Sequence, residues 1–184
     1  DPREAMRGRR VAVPGKLTTA VLALQLYQPE FKPVLMAFDA IEDAVHAGAV
    51  DLGLLIHEGQ LSYADTGLCL WEDMGAWWKR DTGLPLPLGG NVVRRDLGPK
   101  LVDQIARDLR ASVEYALAHR QPALDHAKQY SRGLSDDRAD TFVGMYVNQW
   151  TVDYGPVGRR AVQLLLDRAA AAGLIPATQV EFAG

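Results

Sequence analysis

The stretch Leu52-Gly53-Leu54-Leu55-Ile56-His57-Glu58 constrains this chain more than any other, because an apolar run of strand length stops abruptly at an imidazole and a carboxylate. A short apolar run fits a parallel strand covered on both faces. In open α/β sheets, ligands bind just beyond the carboxyl ends of such strands, so His57 is predicted at a ligand position. The alternative for a lone histidine is a core side chain bonded to a backbone carbonyl.

The flanking sequence repeats a β-α pattern. Val11 to Val13, Val34 to Phe38 and Val50 to His57 read as strands, with helices over Thr18 to Tyr27 and Ala40 to Ala47. Alternation of this kind predicts a parallel sheet in an α/β fold. Pro14-Gly15 breaks the first strand, Asp39 is placed to cap the second helix, and Gly48 ends it. Right-handed crossovers put the carboxyl ends of all three strands on one edge. Pro14 to Thr19, Phe38 to Asp39 and His57 to Gly59 are therefore expected to line one crevice.

Beyond Trp71 the pattern changes. Thr82 to Gly90 is too rich in Pro and Gly for a helix or a central strand and reads as a connector between lobes. Asn91 to Arg94 is expected as a short strand, and everything from Gly98 onward reads helical. Leu101, Ile105, Leu109, Val113 and Leu117 recur every four residues, as on an amphipathic helix. Gly133 and then Ser135 mark a break before Phe142, Val143, Tyr146 and Val147. Val157, Ala161, Leu164 and Leu165 form a last helix, ended by Gly173 and Pro176. The expected organisation is a leading segment 1–9, an α/β lobe 10–88, and a second, incomplete lobe 89–184.

Composition narrows the function. The 184 residues are 48% hydrophobic and 23% charged, ordinary for a soluble globular chain. A net charge of -3 offers no basic field for nucleic acid, and Arg3, Arg7, Arg9 and Arg10 read as a solvated leading segment. No window approaches the roughly 18 apolar residues of a membrane span. One cysteine, Cys69, fits a reducing compartment and reads as a small core residue, so the expected location is the cytoplasm. The chain opens on Asp1 without signal-peptide features, as a fragment or processed product would.

The turn from Val13 to Thr19 joins a strand to a helix, aiming backbone N–H groups and the Thr18 and Thr19 hydroxyls at the sheet edge. It lacks the spacing of a phosphate loop. Thr18 serves equally as a plain N-cap, and Lys16 reads as a solvated turn residue. No metal is expected at His57-Glu58, since Leu61 occupies the place of a second ligand in H-E-x-x-H. No G-x-S-x-G is present for a serine nucleophile, and Cys69 has no histidine near it in sequence. Imidazole, with its reference pKa of about 6.5, suits general-base work at neutral pH. His46, His119 and His126 sit on helices as surface residues. Trp77 and Trp78 are expected to pack between lobes, and Asn148 to satisfy backbone groups near a helix end.

Several of these stretches together carry a resemblance. Val11-Ala12-Val13-Pro14-Gly15 with Thr18-Thr19-Ala20, Gly53-Leu54 with Ile56-His57-Glu58, Gly75-Ala76-Trp77-Trp78, and Thr82 to Gly89 belong to it. So do Arg94-Arg95-Asp96-Leu97-Gly98 and Tyr146-Val147-Asn148. They resemble the 1,4-dihydroxy-6-naphthoate synthases of the futalosine route to menaquinone, from about Arg9 to Ile175. The resemblance implies a two-lobed, type II periplasmic-binding-protein-like fold with the substrate held between lobes. It implies a lyase that splits cyclic dehypoxanthine futalosine into 1,4-dihydroxy-6-naphthoate and dihydroxyacetone, with no cofactor. His57 would be the general base, and Thr18 and Thr19 would hold polar groups of the substrate. The family's opening strand and first half-lobe have no counterpart here, so the chain alone is expected to be incomplete.

The rivals are a solute-binding protein on the same scaffold, which needs no base at the crevice, and the sister chorismate dehydratase of the pathway. A regulator's effector domain is more distant, because no DNA-binding helix-turn-helix is visible. The expected partner is a small-molecule substrate, with neither nucleic acid nor membrane.

Overall fold

The computed structural model describes residues 1–129 and 135–183; Gly133, expected at a helix break, lies outside the described residues. The chain forms two compact units, one of Asp1–Leu88 with Leu164–Thr178 and the other of Gly89–Gln163 with Gln179–Gly184.

The first unit is built on a small parallel sheet. β1 (Arg10–Val13) is the middle strand, paired with β2 (Lys32–Leu35) on one side and β3 (Leu52–Gly53) on the other. Successive side chains of a strand point to opposite faces, and β1 uses both. Val11 and Val13 pack with Met6, Phe31 and the Val21, Leu24 and Tyr27 side chains of α2 (Thr19–Tyr27). Ala12 packs with Val50 and with Ile41 of α3 (Ile41–His46). α2 thus covers one face of the sheet, with Met74 and Trp77 packed against the same cluster, and α3 covers the other. Gly53 permits the closeness of α3: a Cβ there would stand 2.5 Å from Ile41 Cγ2 and 3.1 Å from Val45 Cγ2.

Two strands are shorter than their apolar runs predict. The Leu54 N–H still donates to the Ala12 carbonyl at 2.9 Å, and Met36 N–H to the Val13 carbonyl at 3.2 Å. β1 then ends at Pro14-Gly15, leaving later residues no strand to pair with. Leu54 to His57 consequently run on as half-buried irregular chain rather than a strand covered on both faces. Phe38 opens a 3-10 turn, Phe38–Ala40, and Asp39 lies inside it; the N-cap of α3 is Ala40, without a side-chain cap bond.

The leading segment is folded as well as charged. α1 (Pro2–Ala5) is capped by Asp1, Met6 is buried in the core, and the buried Gln28 donates to the Arg3 carbonyl at 2.8 Å. Cys69, expected in the core, is exposed, in a stretch after Gly67 that has no regular structure.

α4 (Met74–Thr82) carries both tryptophans within the first unit, not between lobes. Trp77 meets Tyr27 edge to face at 5.3 Å. Trp78 is fully buried, with the Arg168 guanidinium 5.2 Å from its ring centroid and Arg168 paired to Asp81. These contacts place Leu164–Thr178 with the first unit, although the sequence assigned that segment to a continuous stretch 89–184.

The second unit is helical: α5 (Pro99–Ala118), α6 (Arg120–Lys128), α7 (Asp136–Tyr146), α8 (Gln149–Val152) and the first part of α9 (Gly155–Ala171). The strand expected at Asn91 to Arg94 is absent; Val92 is almost fully exposed, and no described strand of this unit offers a pairing edge. The apolar stripe of α5 forms as predicted, yet Leu101, Ile105 and Leu109 remain exposed. Among the described residues no helix is long and apolar enough to cross a membrane.

Candidate functional site

The carboxyl ends of the three strands share one edge because all are parallel to β1. After β1 the chain turns through Pro14 to Thr18 into α2. The Thr18 Oγ1 accepts the Val21 N–H at 3.2 Å and donates to the Gly15 carbonyl at 3.5 Å, so its hydroxyl is engaged in N-capping its own helix. Thr19 is the half-buried first residue of α2, and Lys16 is exposed.

His57 stands at the end of the segment that follows β3, where it is the N-cap of a 3-10 turn, Glu58–Leu61. Its ring nitrogens meet different partners. Nδ1 accepts the Gly59 N–H at 2.9 Å, and Nε2 lies 3.0 Å from the Phe38 carbonyl oxygen. A carbonyl can only accept, so Nε2 carries the hydrogen and the ring is the neutral Nε2–H tautomer. The Phe38 ring packs edge to face on the imidazole at 5.3 Å. The His57 carbonyl accepts the backbone N–H and the side-chain amide of Gln60, each at 3.0 Å, fastening the turn.

Gly59 is buried beneath the imidazole, and no larger residue fits there. A Cβ on it would lie 1.9 Å from Glu42 Oε1, 2.3 Å from His57 Cε1 and 2.7 Å from His57 Nδ1. Glu42 reaches this point from the first turn of α3, and its Oε1 is buried without a hydrogen-bond partner. Sequence reasoning passed over Glu42. The available signal was its place one turn beyond Phe38 and Asp39, on the helix that packs beside β3.

The structure therefore brings His57, Phe38 and Gly59 together and adds Glu42, while Thr18 and Thr19 stand at the end of the neighbouring strand. In this arrangement His57 has the geometry of the carbonyl-bonded alternative. Its one lone pair, on Nδ1, is occupied by the Gly59 N–H, and the ring can take a proton only when that bond opens. His46, His119 and His126 are exposed, as their helix positions predicted. Asn148 caps α8, accepting the Trp150 N–H at 3.0 Å and donating to the Gly144 and Met145 carbonyls. Among the described residues no three His, Cys, Asp or Glu side chains cluster as metal ligands.

A small parallel sheet flanked by helices, with a histidine turn at its carboxyl edge, defines a mixed α/β protein with the ligand-site topology of that class. The chain belongs to the menaquinone biosynthesis family, whose model matches residues 1–171. It is 46% identical over 173 residues to a 1,4-dihydroxy-6-naphthoate synthase of Thermus thermophilus, covering 94% of this chain and 64% of that relative. It is 40% identical over 178 residues to the Streptomyces coelicolor protein of the same name, covering 94% of this chain and 63% of the relative. The X-ray structure of protein AF1704 from Archaeoglobus fulgidus superimposes with a TM-score of 0.88 at 45% identity, over 92% of this chain and 64% of that one. The chain thus spans a little under two thirds of the length of these relatives.

Proposed function

We propose that the chain carries the general-base portion of a 1,4-dihydroxy-6-naphthoate synthase. The reaction is a carbon-carbon lyase step of the futalosine pathway, converting cyclic dehypoxanthine futalosine into 1,4-dihydroxy-6-naphthoate and dihydroxyacetone in the cytoplasm. The fold we assign to the whole protein is the two-lobed, type II periplasmic-binding-protein arrangement.

The observation that carries this reading is His57 at the carboxyl edge of the parallel sheet, in a chain 46% and 40% identical to proteins bearing that enzyme name. His57 accepts the proton once the Gly59 N–H has left Nδ1, either at Nδ1 itself or at Nε2 after a hydrogen has been taken up on Nδ1. Thr18 and Thr19, at the amino end of α2, supply hydroxyl and N–H groups for substrate polar atoms. Developing negative charge at that helix end is favoured by the helix dipole.

The test is product analysis after incubating the complete protein with cyclic dehypoxanthine futalosine and, separately, with chorismate. Release of dihydroxyacetone from the first supports the lyase. Turnover of chorismate alone would assign the sister dehydratase, and binding without turnover a solute-binding protein.

A further inference from the structure

We propose that Glu42 is a positioning residue for His57, its Oε1 accepting the Nδ1–H whenever the imidazole is protonated or has its hydrogen on that nitrogen. This rests on the reading of His57 as the general base and names what steers that base.

Three observations meet at one point. Glu42 Oε1 is buried and has no hydrogen-bond partner. Buried carboxylate oxygens are costly to leave unpaired, and a group left so in a folded protein calls for a reason. Second, Glu42 Oε1 and His57 Nδ1 close on the same point above Gly59, 1.9 and 2.7 Å from where a Cβ would sit, too near to leave room for a methyl group. Third, Nδ1 at rest is an acceptor, held by the Gly59 N–H at 2.9 Å. A hydrogen placed on Nδ1 abolishes that bond and needs a new acceptor, which the adjacent carboxylate supplies. Helix-dipole compensation does not require Glu42, since Asp43 occupies the same first turn.

The consequence is a choice between two states of one ring. In the resting state the Nε2–H is bonded to Phe38 and the lone pair points inward at Gly59. In the working state Nδ1 takes up a proton from solvent and Nε2 gives one up, so the exchange is neutral overall. Nδ1–H then donates to Glu42, and the Nε2 lone pair faces the side occupied by Phe38, itself 41% exposed. The hydrogen bond of one imidazole nitrogen thereby sets the basicity of the other. The charged and titratable groups on the elements touching the ring are Glu42, Asp43 and His46 from α3, Asp39 from the 3-10 turn before it, and Glu58 on its own turn.

The test needs no substrate, so it separates this inference from the assignment of the reaction. The chain is labelled with nitrogen-15 at histidine, acidified until His57 is protonated, and its ring N–H protons are observed by NMR, with His57→Gln giving the assignment. The expected result is a downfield Nδ1–H resonance, slow to exchange with solvent, in the wild type and in Asp39→Asn. It should weaken in Glu42→Gln, which keeps a neutral acceptor, and vanish in Glu42→Ala. A resonance unchanged in Glu42→Ala, or exchanging freely in the wild type, overturns the proposal. In the complete protein Glu42→Ala should lower kcat about tenfold with little change in KM, the scale of a lost supporting hydrogen bond, and Glu42→Gln should restore part of it. Equal losses in both variants, tracking lost folded protein by circular dichroism, would likewise reject it.

Discussion

The Nε2–H of His57 is bonded to the carbonyl oxygen of Phe38 at 3.0 Å, joining the segments that leave the two outer strands of the sheet. One hydrogen bond therefore closes the carboxyl edge and sets the tautomer of the only histidine there. For His57 to act as a base, the second bond, from the Gly59 N–H to Nδ1, has to open.

On that basis, His57→Ala in the complete enzyme should lower kcat by about a hundredfold or more, the usual scale for a general base. His57→Asn retains hydrogen bonding without basicity and should be nearly as damaging. Thr18→Ala should act mainly on KM, with a loss of about 1 kcal/mol in stability from the missing cap. Steady-state kinetics on cyclic dehypoxanthine futalosine checks all three, and near-normal turnover in the Asn variant would reduce His57 to a positioning role.

Gly59→Ala should disturb the site before it disturbs the fold. Its Cβ would overlap Glu42 Oε1 at 1.9 Å and His57 Cε1 at 2.3 Å, so the imidazole must swing away from Phe38. The expected cost is about 1–3 kcal/mol, as for other overpacked buried positions, with loss of the His57 to Phe38 bond. Chemical denaturation and the His57 ring resonances measure the two effects separately.

Gly53→Ala lacks a flexible neighbour to yield. The new methyl would press on Ile41 Cγ2 at 2.5 Å, a fully buried side chain on the helix that packs against β3. A destabilisation of about 1–3 kcal/mol is expected, and a thermal transition as high as that of the wild type would show that α3 can shift freely.

Acid stability should depend on Asp51. Its carboxylate accepts the Arg10 backbone N–H at 2.8 Å, and this bond, with the Arg10 charge, holds it below its ordinary value of 3.8. A lowered folded-state value means that the unfolded chain binds the proton more readily, so the contribution is present above about 3.8 and is lost as pH falls through the lower folded value. Asp51→Asn should flatten this acid limb, read as the unfolding midpoint against pH.

Tyr27 should act at the other extreme. Burial, and then the neighbouring Glu72 carboxylate, raise its hydroxyl above the ordinary 10.0. The folded state keeps the proton longer than the unfolded one, so stability is complete below about 10 and declines as pH rises beyond it. Tyr27→Phe should remove that decline in an alkaline titration of stability, while leaving the Trp77 contact in place.

Much of the first unit was legible because local patterns and tertiary needs coincide there. The apolar runs, the Pro14-Gly15 break and the Thr18 cap each specify a strand end or a helix start through backbone chemistry alone. They suffice for β1, α2, α3 and a parallel sheet, and for placing His57 beyond a strand. The lengths of β2 and β3 were not legible, since a strand lasts only while its neighbour does, and β1 stops at Val13. Asn91 to Arg94 shows the same dependence: its β propensity found no edge to pair with in the described structure. The tryptophans read correctly as packing residues, but which surface they pack on depends on Arg168, ninety positions away in sequence from Trp78.

By itself, then, the sequence determined where backbone groups begin and end their own hydrogen bonding, and which chemistry each position can offer. It put an imidazole at the edge of a parallel sheet. Only the tertiary structure decided what that imidazole does at rest, because both its nitrogens are claimed by groups from other positions, Phe38 and Gly59. Only packing brought the unpaired oxygen of Glu42 to the same point. Tautomer and basicity are set by the distances and directions of neighbouring dipoles, and those exist only once α3 has closed over Gly53.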